Sequence, residues 1–235
     1  MKTSLIIPAY NEEKRLKPFL ESIVQYLKDH PHDVSEVIVV DDGSQDTTVQ
    51  VAENFRSQIP GLHVIKHVQN QGKGAAVQTG VMAAHGDSIV FMDADGATDI
   101  SELPKMLTAL EKAPVAIGNR WMKNSVTQRH STLRKLAGWV YRTYLRIFGL
   151  GNIDTMCGFK GYRKDVARIL FANLQEKRWL FDTEIAYRTV QKKYDINNFP
   201  IRWESKDGSK LSSIDLLRSA WKIWPLIQRL KKQSL

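Results

Sequence analysis

VFMDADGATD, residues 90–99, runs an apolar strand directly into three carboxylates, Asp93, Asp95 and Asp99. A short apolar run bounded by a turn is what a strand buried on both faces looks like, so the charge collects where the chain leaves the core. The pattern recurs along the first half. TSLIIPA (3–9) and SEVIVVDD (35–42) read as strands that end in polar clusters at residues 10–12 and 41–46. Residues 12–30 and 46–59 carry helical periodicity, the first despite Pro18. Strands are then predicted at 62–67, 87–95 and 114–120, and helices at 73–85 and 101–112. Strands alternating with helices predict an α/β fold, a mostly parallel central sheet flanked by helices, with ligands bound at the carboxyl ends of the strands.

The chain has 235 residues, enough for one full core, and carries 34 Lys and Arg against 25 Asp and Glu, a net charge of +9. Such a balance favours polyanions or anionic lipid as partners. Cys157 is the single cysteine, which excludes an internal disulfide and suits a reducing compartment. The apolar run near the N-terminus is too short for a signal peptide, and no stretch approaches the roughly 20 apolar residues of a membrane span. A cytoplasmic protein, attached to a membrane at most peripherally, is the expectation.

From Lys112 to Ile153 there is no acidic residue. Arg120, Lys123, Arg129, Arg134, Lys135, Arg142 and Arg146 share that run with an apolar helical stripe from Leu133 to Phe148, ended by Gly149 and Gly151. Residues 154–168 read as irregular or short-stranded, 181–192 as a helix and 195–203 as a late strand. Residues 213–235 form a second basic amphipathic helix carrying Trp221 and Trp224. The expected division is a domain over 1–212, which includes the first of these helices, followed by the basic amphipathic C-terminal helix over 213–235.

Two aspartates separated by one residue at a strand end offer hard oxygen ligands for Mg²⁺ or Mn²⁺, ions that keep waters and take phosphate oxygens. Taken alone, Asp-x-Asp is more often a solvated turn, with Asp99 or Ser101 capping the next helix. A calcium loop is excluded, because counting from Asp93 the sixth position is Thr98 and the twelfth Pro104. In NQGKGAA (70–76) the glycines allow close backbone approach and Lys73 can meet a phosphate, but the spacing is not that of a P-loop. Asp41 and Asp42, before Gly43 and Ser44, fit either a turn or a pocket that donors satisfy.

Together and in order, IIPAYNE (6–12), VIVVDDGSQDTT (37–48), NQGKGAAVQTG (70–80) and FMDADGATD (91–99) resemble glycosyltransferase family 2 with its GT-A fold. GNRW (118–121), DTMCGFKGYR (154–163), RWLFDTEIAYR (178–188) and IRWESKDGSKLS (201–212) are similar to the polyprenyl-phosphate sugar transferases of that family, those acting with glucose and dolichyl phosphate foremost. The resemblance implies a nucleotide-sugar half over about 1–120 and an acceptor half over about 121–212. Pro8, Tyr10, Glu12, Asp41, Asp42, Lys73, Asp93 and Ala94 are then implied for the donor nucleotide, with Asp42 near the base and Glu12 near the ribose. Asp93 and Asp95 are implied for metal and diphosphate, Asp95 as the likelier direct ligand, and Arg120, Arg134 and Lys210 for phosphate. UDP-glucose is the favoured donor and a polyprenyl phosphate the acceptor.

Chemistry refines these roles. Charge builds on the leaving diphosphate, so a divalent ion and cationic side chains supply electrostatic catalysis, and attack from the opposite face inverts the anomeric centre. An alcohol acceptor needs a base, for which Asp182 or Asp154 stands ready; a phosphate monoester, with a second pKa of about 6, needs cations instead. Related sequences carry an acid where Gly158 stands. A mannosyl or N-acetylhexosaminyl transferase is the nearest alternative. A non-catalytic nucleic-acid or lipid module has no use for Asp41, Asp42, Asp93 and Asp95 together, and no nucleic-acid partner is expected.

Overall fold

The computed structural model describes residues 2–128, 132–206 and 213–233. Nine strands are seen among them: β1 (Thr3–Ala9), β2 (Glu36–Asp41), β3 (Leu62–Lys66), β4 (Ser88–Met92), β5 (Val115–Asn119), β6 (Val126–Gln128), β7 (Phe159–Arg163), β8 (Ile196–Pro200) and β9 (Arg202–Glu204). The helices are α1 (Glu13–Asp29), α2 (Thr48–Glu53), α3 (Lys73–Ala83), α4 (Leu103–Lys112), α5 (Thr132–Leu145), α6 (Lys164–Phe171), α7 (Phe181–Gln191) and α8 (Ser213–Gln233).

Seven strands form the central sheet in the order β3-β2-β1-β4-β7-β5-β8. All neighbours are parallel except β7, which runs antiparallel to both β4 and β5. Period-two alternation sends Leu5, Ile7, Val37 and Val39 to one face and Ile6, Ile38 and Val40 to the other. Each face carries its own core, which is why β1, β2, β4 and β5 are buried along their whole length. Leu16, Phe19, Leu20 and Ile23 of α1 and Leu103, Met106 and Leu110 of α4 cover one face; α3, α6 and α7 cover the opposite one. The chain steps from β1 outward to β3 and then returns to lay β4 on the other side of β1, which opens a crevice at the strand ends between β1 and β4.

The α/β class and the sheet-plus-helices architecture agree with the sequence expectation, and several local expectations need correction. The helix expected over 46–59 spans only Thr48–Glu53, and residues 54–58 continue it only as turns. The segment 154–168, expected to be irregular or short-stranded, does hold the short strand β7, but it also holds the start of the unforeseen α6, whose Val166, Ala167, Leu170 and Phe171 are buried. Strand β6, unforeseen, pairs in parallel with β9 as a second small sheet. The Glu204 backbone N–H donates to Ala97 O at 2.9 Å, which fastens that sheet beside the end of β4. Asp99 does cap, its Oδ1 accepting from Ser101 N at 2.8 Å.

Helix α8 packs on α5 and α7, with Ile223, Leu226, Ile227 and Leu230 inside the same core as Ile6 and Phe91. The nominal halves interleave as well, because β7 of the second lies in the middle of the sheet of the first. Cys157 is a fully buried free thiol, and burial pushes its pKa up to about 12. It is therefore expected to resist iodoacetamide at about pH 8 until the chain is unfolded. Mass spectrometry of native and denaturant-treated protein checks this, and rapid labelling of the native chain would contradict the burial.

Candidate active site

The crevice is a cleft of about 430 Å³. One side carries Pro8, Tyr10, Glu12, Asp42, Lys73, Asp93, Ala94 and Asp95; the other carries Arg120, Asp154 and Asp182. Asp41 is not among the lining residues: its carboxylate turns back to accept from Ser44 N at 3.2 Å. Lys210 lies outside the described residues, as does the side chain of Arg134 on α5.

Asp42 is engaged on both oxygens. One accepts from His67 Nδ1 at 2.8 Å and Gln71 N at 2.9 Å, the other from Asn70 Nδ2 at 2.9 Å and Gly72 N at 2.7 Å. A carboxylate buried with these donors is satisfied within the chain and orders the loop that presents Lys73. Gly72 is needed there on two counts. Its φ of +107° strains any other residue, and a Cβ would meet Lys177 O at 2.4 Å.

Lys73 Nζ lies 2.6 Å from Asp93 Oδ1 and 5.7 Å from the Trp179 ring. Burial alone would lower its pKa, yet the charges of Asp93, Asp182 and Asp95 together outweigh burial and raise it, so Lys73 is a cation. Asp95 accepts from Ala97 N at 3.0 Å. Its pKa is raised, first by burial and then by the charge of Asp93. Two hard carboxylates with excess negative charge fit a divalent cation. Among the described residues no group of three protein ligands exists, so phosphate oxygens and water would complete the shell.

Gly158 explains how Asp93 is held. The Asp93 N–H donates to Gly158 O at 3.1 Å, and a Cβ on Gly158 would sit 2.0 Å from Asp93 Oδ2. Any side chain at this position has no room beside the Asp93 carboxylate as it stands.

On the far wall Arg120 meets Asp154 in two parallel bonds, Nε to Oδ2 at 2.8 Å and Nη2 to Oδ1 at 2.9 Å. Its guanidinium lies 5.0 Å over the Trp203 ring. Burial would raise the Asp154 pKa, but Arg120 more than offsets it and holds the carboxyl below the usual range. Asp182 accepts from the fully buried Lys160 Nζ at 2.8 Å, and that ammonium also donates to Thr155 O and Cys157 O. Burial raises the Asp182 pKa in spite of Lys160 and Lys73.

Several lining residues were not singled out as site residues in the sequence. Trp121, Arg178, Trp179 and Trp203 lie inside the later motifs and Arg142 inside the acid-free run, while Lys160, inside DTMCGFKGYR, stands behind the wall and reaches it through Asp182. Motif membership was their only signal, since an aromatic or a lysine at such a position reads equally well as core.

A mostly parallel sheet with paired carboxylates at its switch point and cations on both walls is the architecture of the GT-A glycosyltransferases. The chain matches the profile of glycosyl transferase family 2 over residues 4–171 and belongs to that family. It is 36% identical over 243 residues to the dolichyl-phosphate beta-glucosyltransferase of Drosophila melanogaster, covering 95% of this chain and 74% of that one. A Trichomonas vaginalis dolichyl-phosphate beta-glucosyltransferase is 34% identical over 230 residues, covering 93% of this chain and 68% of the relative. Among solved structures, glucosyl-3-phosphoglycerate synthase from Mycobacterium tuberculosis, in complex with Mn²⁺, UDP and glucosyl-3-phosphoglycerate, superposes with a TM-score of 0.68 at 20% identity, over 93% of this chain and 75% of that one.

The Gly158 contact yields a test. Gly158→Ala is expected to displace the Asp93 carboxylate and weaken binding of UDP with Mn²⁺ by about 100-fold, as misplacement of a site group by ~1 Å does. Titration calorimetry measures it, and an unchanged affinity would mean that Asp93 takes no part.

Proposed function

We propose that this chain transfers glucose from UDP-glucose to a polyprenyl phosphate such as dolichyl phosphate, with inversion, at a membrane surface. The names of its relatives supply the sugar and the acceptor. The observation that carries the acceptor class is the state of the two candidate bases: Asp154 is bound by Arg120 and Asp182 by Lys160. A wall that presents cations, with its carboxylates already engaged, suits a nucleophile that is itself an anion.

Asp93 and Asp95 would hold a divalent ion, Mg²⁺ or Mn²⁺, which when bound takes up charge developing on the leaving diphosphate. Lys73, kept cationic between Asp93 and Asp182, stands on the same wall to stabilise that charge. Arg120, fixed by Asp154 and the Trp203 ring, directs its remaining N–H groups at the acceptor. A phosphate oxygen of the acceptor attacks the sugar's anomeric carbon from the face opposite the diphosphate, that carbon's bond to UDP breaks, and UDP departs with the electron pair. A monoester with a second pKa of about 6 is mostly dianionic at neutral pH, so no proton needs removal.

One observation favours a second reading. Asp182 lines the cleft with a raised pKa, as a base for an alcohol acceptor would. Asp182→Asn separates the two. With polyprenyl phosphate as acceptor the variant should keep a pH profile set by the phosphate, whereas a base role predicts loss of turnover by about 100-fold or more.

Asp95→Asn is expected to reduce transfer from UDP-glucose by about 100-fold or more, and a chelator to do the same to the wild type, restored by Mn²⁺. Radiolabel transfer from UDP- and GDP-sugars, with and without polyprenyl phosphate, measures both effects. Full activity in the chelator would remove the metal from the scheme.

No helix among the described residues is long and apolar enough to cross a membrane. The membrane contact falls instead to α5 and α8. Trp221 is 86% exposed, and Trp139 and Leu136 on α5 and Trp224 on α8 are exposed as well, as is Ile147, 70% exposed in the 3-10 turn that follows α5. Exposed Arg146, Lys222 and Lys231 add the charge that anionic lipid attracts, each about 1 kcal/mol near such a surface. A peripheral position on the cytoplasmic leaflet, where the free thiol stays reduced, fits both. Trp221→Ala with Trp224→Ala should reduce flotation with anionic liposomes several-fold at unchanged thermal stability; equal flotation would remove α8 from the contact.

A further inference from the structure

Four of the cations on the cleft wall are already matched by carboxylates. Arg15 meets Glu12 at 2.6 Å, Lys73 meets Asp93 at 2.6 Å, Arg120 meets Asp154 at 2.8 Å, and Lys206 meets Glu204 at 2.6 Å. A matched pair can still direct an incoming phosphate through its free N–H groups. It gives little net attraction, because the partner carboxylate repels what the cation draws in.

Arg142 is placed differently. It lies on α5 within the run that has no acidic residue, its Nε donates to the Gly151 carbonyl at 2.9 Å, and its guanidinium rests 5.6 Å over the Trp121 ring. A carbonyl and an aromatic face orient a guanidinium without neutralising it. Among the described residues Arg142 has no carboxylate partner. Arg178 has none either, but it stands on the donor side, with its Cγ only 2.8 Å from where a Gly72 Cβ would be. Trp121 follows Arg120 directly in the chain, so its ring carries Arg142 to the same wall as the Arg120–Asp154 pair.

We infer that Arg142 supplies the net positive charge that binds the acceptor's terminal phosphate and selects a phosphate monoester over a neutral hydroxyl, while Arg120 fixes the phosphate's orientation. The inference rests on the anionic acceptor proposed above and adds the residue that recognises it. It also explains why α5 carries no acid: a carboxylate there would cancel the only unmatched charge on its side of the cleft among the described residues.

Initial rates with a short-chain polyprenyl phosphate test it, using the wild type, Arg142→Gln and Arg142→Lys. Arg142→Gln should raise the acceptor KM by about 10- to 100-fold, the loss expected of one hydrogen bond to a charged group, and leave the donor KM unchanged. Arg142→Lys keeps the charge but loses the bond to Gly151, and should recover most of the affinity. For the wild type, kcat/KM for the acceptor should fall below about pH 6 as the phosphate gains its second proton, and the fall should be shallower in Arg142→Gln. An unchanged acceptor KM in Arg142→Gln overturns the inference. So does an Arg142→Lys variant as impaired as the glutamine one, since the residue then acts by shape. A wild type that transfers to no polyprenyl phosphate overturns the acceptor class itself, and is told apart because failure of the inference alone leaves wild-type transfer intact.

Discussion

A carboxylate taken out of water must find a cation or a set of donors, and the end of this sheet is organised around that requirement. Asp42 takes four donors from its own chain, Asp93 takes Lys73, Asp154 takes Arg120 and Asp182 takes Lys160. Removing one partner of a buried pair costs about 3–5 kcal/mol, because the other charge is stranded. The matching therefore ties the ends of β2, β4 and β5 to α3, β7 and α7. Asp95 is the exception. Its pKa is raised, first by burial and then by the charge of Asp93 beside it, and a pair of neighbouring carboxylates in that state fits a divalent ion.

The sheet was legible because its strands are buried on both faces and so appear as unbroken apolar runs, punctuated by acids where they end. Asp93, Asp95 and Arg120 stand at such ends, whereas Lys73 was picked out by the glycines on either side of it at the start of α3. The antiparallel entry of β7 was not, because its partners β4 and β5 are distant in sequence and FKGYR carries no pattern that names a neighbour. Helix α6 was obscured by its short length and by the strand directly before it. Nor does sequence tell Asp41 from its neighbour Asp42. One rotation of the backbone sends the first into a turn and the second into the cleft, and only the loop that closes on Asp42 decides which.

Amphipathic helices raise the same difficulty in sharper form. The apolar residues of residues 213–235 fit a core and a lipid surface equally well in sequence, and the fold divides them: Ile223, Leu226, Ile227 and Leu230 turn inward, while Trp221 and Trp224 stay outside. Helix α5 divides likewise, with Tyr141 and Leu145 on the cleft wall and Trp139 and Val140 exposed. One helix thus separates the reacting phosphate from the surface that would meet the membrane by little more than its own diameter, about 10–12 Å.

The interleaving of β7 has a consequence for how the chain acquires its shape. Strands β5 and β8 reach the rest of the sheet only through β7, so the sheet cannot be completed until residues 159–163 have been synthesised and inserted. Until then β4 offers an open, apolar edge, and the carboxylates that follow it lack the wall formed by Gly158. Nucleotide and acceptor sites are consequently not modules that can be exchanged by cutting near residue 120. Recombination among relatives would have to replace both sides of the cleft together, which ties the choice of donor to the choice of acceptor through topology alone.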